Sequence, residues 1–368
     1  MEEFKKVKYI HLIWHNELKF NTRLVEMFAD SANGFCSSEH LFVTPHVQVY
    51  EALKNHENVI FDSTFGTKKS AAYINRYAPE CDWLFVHFMC SPWEFLKVKR
   101  AYLHKIVHRT WGGDLSYKQI LKKSIKKFAN PFINKLFARR MRHIRLIGIA
   151  NTVDALNVKE KIGDVPTHIM PYPVRDGDQL LSGALPSRRA DDGNLNIMVG
   201  HSGLPYNNHK AILDALYRFH EEKIQIYVMV SYGRPEYIDE IKTYGKRLYG
   251  EKITFMDEML PYNEYVKLLN NMDVAFLDAK ISYALGNISV LTFLGKKIFL
   301  NRDGILRRAF DLDGLPYMCT SDLETVSFEE FSRPLDYSDE LRAKLAPAPY
   351  EKKIQTWHEI LNLLDHKI

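Results

Sequence analysis

Short apolar runs alternate with helix-length segments along nearly the whole chain, and this alternation narrows the possible folds more than any other feature. In the first half the apolar runs fall at 8–14, 41–44, 59–61, 83–89, 106–110 and 146–150, with helical periodicity at 21–32, 68–77, 92–103, 116–129 and 152–161. The second half repeats the pattern, with strand-like runs at 195–199, 224–230, 252–256, 274–277 and 297–300. Helical segments there occupy 207–219, 236–248, 262–270 and 286–294. A continuous apolar run suits a strand buried on both faces, and a helix between two such runs returns the chain to a parallel neighbour. The expected fold class is therefore α/β, two Rossmann-like doubly wound domains facing across a cleft. Residues 170–175 and the Gly-, Asp-, Ser- and Arg-rich stretch to 194 read as a domain boundary. This gives a first domain at 1–175, a second at 194–345, and a segment at 346–368 whose amphipathic helix can pack back on the first.

Composition supports folded domains: 368 residues with 46% hydrophobic and 12% aromatic content bury real cores. No apolar run approaches the roughly 18–20 residues a membrane helix needs, and the acidic start does not resemble a signal peptide. Cys36, Cys81, Cys90 and Cys319 form no CxxC pair and read as buried thiols of a reducing compartment. The net charge of +5 is unevenly spread, because 115–153 holds ten Lys and Arg residues and no acidic one. Lys122, Lys123, Lys126, Lys127, Arg139 and Arg140 lie there among Phe128, Phe132, Leu136 and Phe137. Basic side chains interleaved with aromatics suit an anionic membrane surface, each cation near it contributing about 1 kcal/mol. The same charges would attract nucleic acid, but no nucleic-acid motif accompanies them, so none is expected as a partner.

In doubly wound sheets ligands sit beyond the carboxyl ends of the strands. The run 195–199 ends at Gly200-His201-Ser202-Gly203 before a helix near Asn207, and Gly286-Asn287, with Ser289 one turn on, opens another. Both turns read as places where backbone N–H groups and a helix end can hold a diphosphate, although neither GxGxxG nor a P-loop is present. Tyr232, Glu258 and Asn301 follow other strands and join them as donor-binding candidates. The acidic triplets 176–178 and 311–313 fit DxD by letter but follow no strand, and read as solvated loops; a metal ligand set is not expected. For a proton acceptor the first-half strand ends offer Asp114 after Trp111-Gly112-Gly113, then His87 and His15. Asp114 also suits a helix cap.

With those residues in place, the chain resembles the family 56 glycosyltransferases, bacterial sugar transferases of enterobacterial common antigen assembly. The likeness rests on Trp111-Gly112-Gly113-Asp114-Leu115, on Val199-Gly200-His201-Ser202-Gly203 with Asn207 and His209, and on Gly286 through Leu294-Gly295 to Leu300-Asn301-Arg302. Weaker matches are Asn21, His87, Pro173 with Arg175, Tyr232 with Tyr237, and Glu258 with Tyr265. His201 stands where that family has Asn, and Asn287 where it has Thr. The resemblance implies a GT-B architecture, with a TDP- or UDP-linked, N-acetylated deoxyamino sugar as donor on the C-terminal domain. It also implies a polyprenyl-diphosphate-linked glycan as acceptor on the N-terminal domain, peripheral attachment at the cytoplasmic side of the inner membrane, and no metal cofactor. A nucleotide-sugar epimerase of the same fold and a non-catalytic membrane scaffold are the competing readings.

Overall fold

The structure is a computed structural model that describes residues 7–64, 70–88, 92–111, 123–173, 193–338, 340–341, 345 and 348–366, with backbone alone at 92 and 123–131. Two compact units divide the chain: Met1–Arg175 with Ala348–Ile368, and Asp176–Pro347.

Among the described residues the first unit is built on seven parallel strands, β1 (Val7–Ile13), β2 (His40–Thr44), β3 (Val59–Phe61), β4 (Cys81–His87), β5 (Ile106–Arg109), β6 (Leu146–Ile149) and β7 (Thr167–Ile169). Their order is β3-β2-β1-β4-β5-β6-β7, so the chain reverses direction across the sheet between β1 and β4. Leu12, Leu84, Val86 and Ile147 point to one face and Tyr9, Ile13, Phe85 and Val107 to the other, each face closed by helices. The second face is completed from the far end of the chain. Trp357, Ile360, Leu361 and Leu364 of the Tyr350–Asp365 helix enter that core, Trp357 Nε1 donates to the Pro171 carbonyl at 2.8 Å, and Lys8 pairs with Asp365 at 2.7 Å. Burying one such aromatic contributes on the order of 2–3 kcal/mol, far more than the half-exposed ion pair.

Local chemistry explains where elements begin and fail. Asn151 caps the Thr152–Lys161 helix by accepting from the Asp154 N–H, while the Asp154 carboxylate accepts from Ala150. The helix expected over 92–103 divides instead into a single turn, Pro92–Phe95, and a 3₁₀ segment, Arg100–Lys105. The Lys99 N–H is drawn to Asn75 Oδ1 at 2.7 Å, which takes it out of any helical ladder. The basic helix runs Lys123–Met141, further than its periodicity indicated. Met170 and Tyr172 are buried in the first unit.

Among the described residues the second unit holds six parallel strands: β8 (Leu195–Val199), β9 (Ile224–Met229), β10 (Ile253–Met256), β11 (Val274–Leu277), β12 (Lys297–Leu300) and β13 (Met318–Cys319). Their order, β10-β9-β8-β11-β12-β13, puts the topological switch between β8 and β11. Two features differ from the sequence reading. Asp311 and Asp313 end an α-helix, Ile305–Asp313, where Asp311 accepts from Arg307 and Tyr317, so they are not loop residues. Cys36 is exposed, whereas Cys81 and Cys319 are buried thiols.

Candidate donor site

The switch between β8 and β11 is where the glycine turn was expected to meet an anion. The structure corrects that role. Gly200 adopts φ +70°, and a Cβ there would lie 2.5 Å from His209 Nε2; one on Gly203 would lie 2.3 Å from the Ile238 side chain. These glycines admit neighbouring side chains rather than a ligand. Three of the turn's four N–H donors are engaged too: Gly200 N–H binds the Phe276 carbonyl at 3.0 Å, His201 N–H binds Asn207 Oδ1 at 3.2 Å, and Gly203 N–H binds the Tyr232 carbonyl at 2.6 Å. Asn207, 1% exposed, returns its amide to Ser202 and Leu204, and so ties the turn shut. Residues 200–203 and Asn207 are the frame of the site.

The other glycine turn has the opposite character. Ala284, at the left-handed φ of 56°, opens the Leu285–Phe293 helix without any side-chain cap. The first bond of that turn runs from Ile288 N–H to the Ala284 carbonyl, so the Leu285, Gly286 and Asn287 N–H groups precede the ladder and emerge from the helix end. Nothing lies within 4 Å of the position a Gly286 Cβ would take. A non-glycine residue held in the left-handed region costs on the order of 1 kcal/mol, and such strain gathers at binding sites. Asn208, also left-handed at φ 55°, locks β8's exit to β11's by donating to the Asp278 carbonyl at 2.8 Å and its carboxylate at 2.9 Å.

A cavity of about 270 Å³ reaches this helix end. Met229, Met256 and Leu268 supply an apolar floor, and His201, Tyr232, Glu258, Tyr265 and Asn287 bring polar atoms to its walls. Methionine suits a flat ring because its thioether packs against aromatic faces. The Tyr265 hydroxyl bonds to the Asn287 side chain, and burial pushes its pKa up to about 12, so it stays a neutral donor. Burial pulls His201 down to about 4 against a smaller opposing effect from Asn207, leaving a neutral imidazole 3.5 Å from the Tyr206 hydroxyl. Tyr206 stacks on Tyr283 with centroids 4.0 Å apart. Of the sequence candidates, His201, Tyr232, Glu258 and Asn287 are thus brought together beside Gly286, with Ser202 fully buried beneath them. Ser289 and Asn301 do not join them: Ser289 lies exposed one turn further along the helix, and Asn301 accepts from the Asp303 N–H at 3.0 Å in a turn of its own. Sequence reasoning missed the methionine floor, whose only signal is Met closing β9 and β10.

In the first unit, Asp114 and the glycines before it lie outside the described residues, as does Lys122; Lys123, Lys126 and Lys127 lie in the basic helix with side chains outside them. Trp111, the residue leading into that segment, is anchored by a buried chain of rings. Its Nε1–H donates to Tyr172 Oη at 3.1 Å; the same oxygen meets His87 Nδ1 at 3.1 Å and His15 Nε2 at 3.3 Å. His87 Nε2 then meets His11 Nδ1 at 3.1 Å, and His11 Nε2 meets His40 Nδ1 at 3.0 Å. Here a second correction is needed: His87 is 0% exposed, so it does not reach an acceptor sugar and instead positions Tyr172. Burial holds His11 and His87 far below the usual histidine range, His15 at about 4 and His40 at about 3. All four are neutral at pH 7. In the basic segment, Arg139 is exposed, but Arg140 is half-buried and donates to the Val98 carbonyl, while Arg142 and Arg145 bind the Ile162 and Leu363 carbonyls. Part of the patch therefore holds the fold together. Among the described residues no helix is long and apolar enough to cross a membrane.

Solved structures share this arrangement of two parallel sheets. Anabaena HepE in complex with UDP matches 97% of this chain and 99% of its own at 12% identity, with a TM-score of 0.60. Sucrose-phosphate synthase from Thermosynechococcus elongatus matches with the same coverage and identity and a TM-score of 0.58. A putative UDP-N-acetylglucosamine 2-epimerase from Listeria monocytogenes matches 96% of this chain and 95% of its own at 14% identity and 0.53. Two doubly wound units of this kind define the GT-B class, which the fold alone leaves open between transferase and epimerase. The family described as 4-alpha-L-fucosyltransferase, glycosyl transferase group 56, matches residues 7–365, and the chain belongs to it. The protein is a hexosyltransferase-type enzyme that uses a nucleotide sugar.

Proposed function

We propose that this glycosyltransferase moves an N-acetylated deoxyamino sugar from a TDP- or UDP-linked donor, bound in the second unit, to a polyprenyl-diphosphate-linked glycan at the cytoplasmic side of the bacterial inner membrane. The observation that carries the donor half is the cavity ending at the uncapped Leu285–Phe293 helix. A base of ring dimensions fits over Met229 and Met256, and the diphosphate meets the N–H groups of 285–287, where the helix dipole favours negative charge. As the bond from the sugar's anomeric carbon to the phosphate oxygen breaks, its electron pair leaves with the nucleoside diphosphate. The helix end and the Asn287 and Tyr265 side chains stabilise that charge. An acceptor hydroxyl bonds to the anomeric carbon and gives its proton to a base, for which Asp114, at the end of the Trp111-Gly112-Gly113 sequence, is the candidate. The acceptor reading is supported by the basic run Lys122, Lys123, Lys126, Lys127 and Arg139 with exposed Phe132. In this reading metal is not required, and transfer persists in excess EDTA. Isothermal titration with TDP, UDP and ADP tests the donor half: the site is expected to bind a pyrimidine diphosphate, and equal failure of all three would overturn it.

A further inference from the structure

A second cavity, of about 310 Å³, opens in the first unit, well away in sequence from the donor residues. Among the described residues Arg100, Arg139, Arg140 and His143 line it, with Leu103 and Leu136 as apolar wall, and no carboxylate does. The nearby Glu94 is held by Lys97. Arg140 is half-buried, its Nε is enclosed without a partner, and the neighbouring Arg100 further disfavours its charge. Guanidinium groups held close together repel one another, and a bound anion relieves that repulsion.

The helix Lys123–Met141 gives this cluster a direction. Phe132, Leu136, Arg139 and Arg140 recur at i, i+4, i+7 and i+8, one face of a helix. Phe132 is 65% and Leu136 37% exposed, so an apolar track leads along the surface into the basic pocket. The packing that fixes the pocket is buried beneath it, with Phe95 and Phe137 ring centroids 5.5 Å apart. An anionic head with one hydrocarbon tail matches this order. Three forked guanidiniums suit a head carrying two or more negative charges better than the single charge of a phosphodiester.

We infer that this cavity is a specific site for the diphosphate end of a single-chain prenyl-type lipid, with the first part of the chain lying over Leu136 and Phe132. The inference rests on the lipid-diphosphate acceptor proposed above and adds where that group is held, which diffuse charge attraction to a membrane does not require.

The test titrates the full chain with farnesyl diphosphate, inorganic pyrophosphate and phosphatidylglycerol-containing vesicles, using wild type, Arg100→Gln and Arg139→Gln. Both arginines are exposed, so the variants are expected to fold, and TDP binding read in parallel reports on the donor site separately. Expected are saturable farnesyl diphosphate binding, pyrophosphate at least tenfold weaker, and a tenfold or greater loss in each variant with TDP affinity unchanged. Variants within twofold of wild type would overturn the inference, as would pyrophosphate binding as tightly as farnesyl diphosphate. Loss of vesicle binding with farnesyl diphosphate binding intact would overturn it as well, assigning the cluster to bilayer headgroups. Loss of TDP binding in wild type would instead refute the donor reading.

Discussion

Replacing Gly286 by Asp separates binding from folding because the two effects have opposite signs. The added side chain meets open space, and an Asp in the first turn of the Leu285–Phe293 helix favours the empty protein by about 0.3–1 kcal/mol through the helix dipole. Removing glycine from a helix adds only about 0.3 kcal/mol more, because Asp is itself a weak helix former. With a donor bound, the same carboxylate faces the diphosphate. One unit charge about 5 Å away costs roughly 1–3 kcal/mol between water-like and near-surface dielectrics, and a diphosphate presents about two. A net loss of about 3 kcal/mol corresponds to roughly 100-fold in Kd. By linkage, a ligand at 100 times the wild-type Kd stabilises wild type by about 2.7 kcal/mol and the variant by about 0.4 kcal/mol. Differential scanning fluorimetry with and without TDP or UDP should show an apo variant melting at or above wild type and a ligand shift nearly abolished. An unchanged ligand shift would refute the placement of the diphosphate at this helix.

Tyr172→Phe removes an oxygen shared by His15, His87 and Trp111 and leaves buried partners unsatisfied, so a loss of about 2–3 kcal/mol is expected, or several degrees in Tm; a change under one degree would mean the ring chain does not support the fold. Asp114→Asn should leave TDP binding intact and abolish transfer, and unaltered turnover removes that residue from the chemistry. Stability should fall as pH drops from about 6.5 towards 4, because the unfolded chain takes up protons that buried His11, His15, His40 and His87 refuse. Each contributes about 1 kcal/mol of loss by pH 5.5, with full stability present above pH 6.5; urea titrations at pH 7.5 and 5.5 check this, and equal midpoints would contradict it. Mg²⁺ withdrawal by EDTA should leave the transfer rate within twofold, and its loss would reverse the proposal of metal independence.

How much of this was legible in the sequence depends on what each residue answers to. Strands such as Val274–Leu277 and Lys297–Leu300 were readable because burial on both faces leaves an unbroken apolar run. The turn at Leu285-Gly286-Asn287 was readable because a glycine lies where a helix opens after a strand. By contrast, Gly200 and Gly203 carry the letters of an anion loop, but their function is decided by His209 and Ile238, which reach them from elsewhere in the chain. Tyr172, between two prolines, has the local composition of a linker, and only the fold brings it to His15 and His87. The three-residue edge strand Thr167–Ile169 offers no periodicity to detect. Pairings of that kind are tertiary, and no window of neighbouring residues encodes them.

Crystals grown with TDP or UDP test the donor site most directly. The account predicts phosphate density against the 285–287 N–H groups, with the base over Met229 and Met256 beside Tyr232 and Tyr265. Phosphate density at residues 200–203 instead, with the Leu285–Phe293 helix end left in solvent, would contradict it.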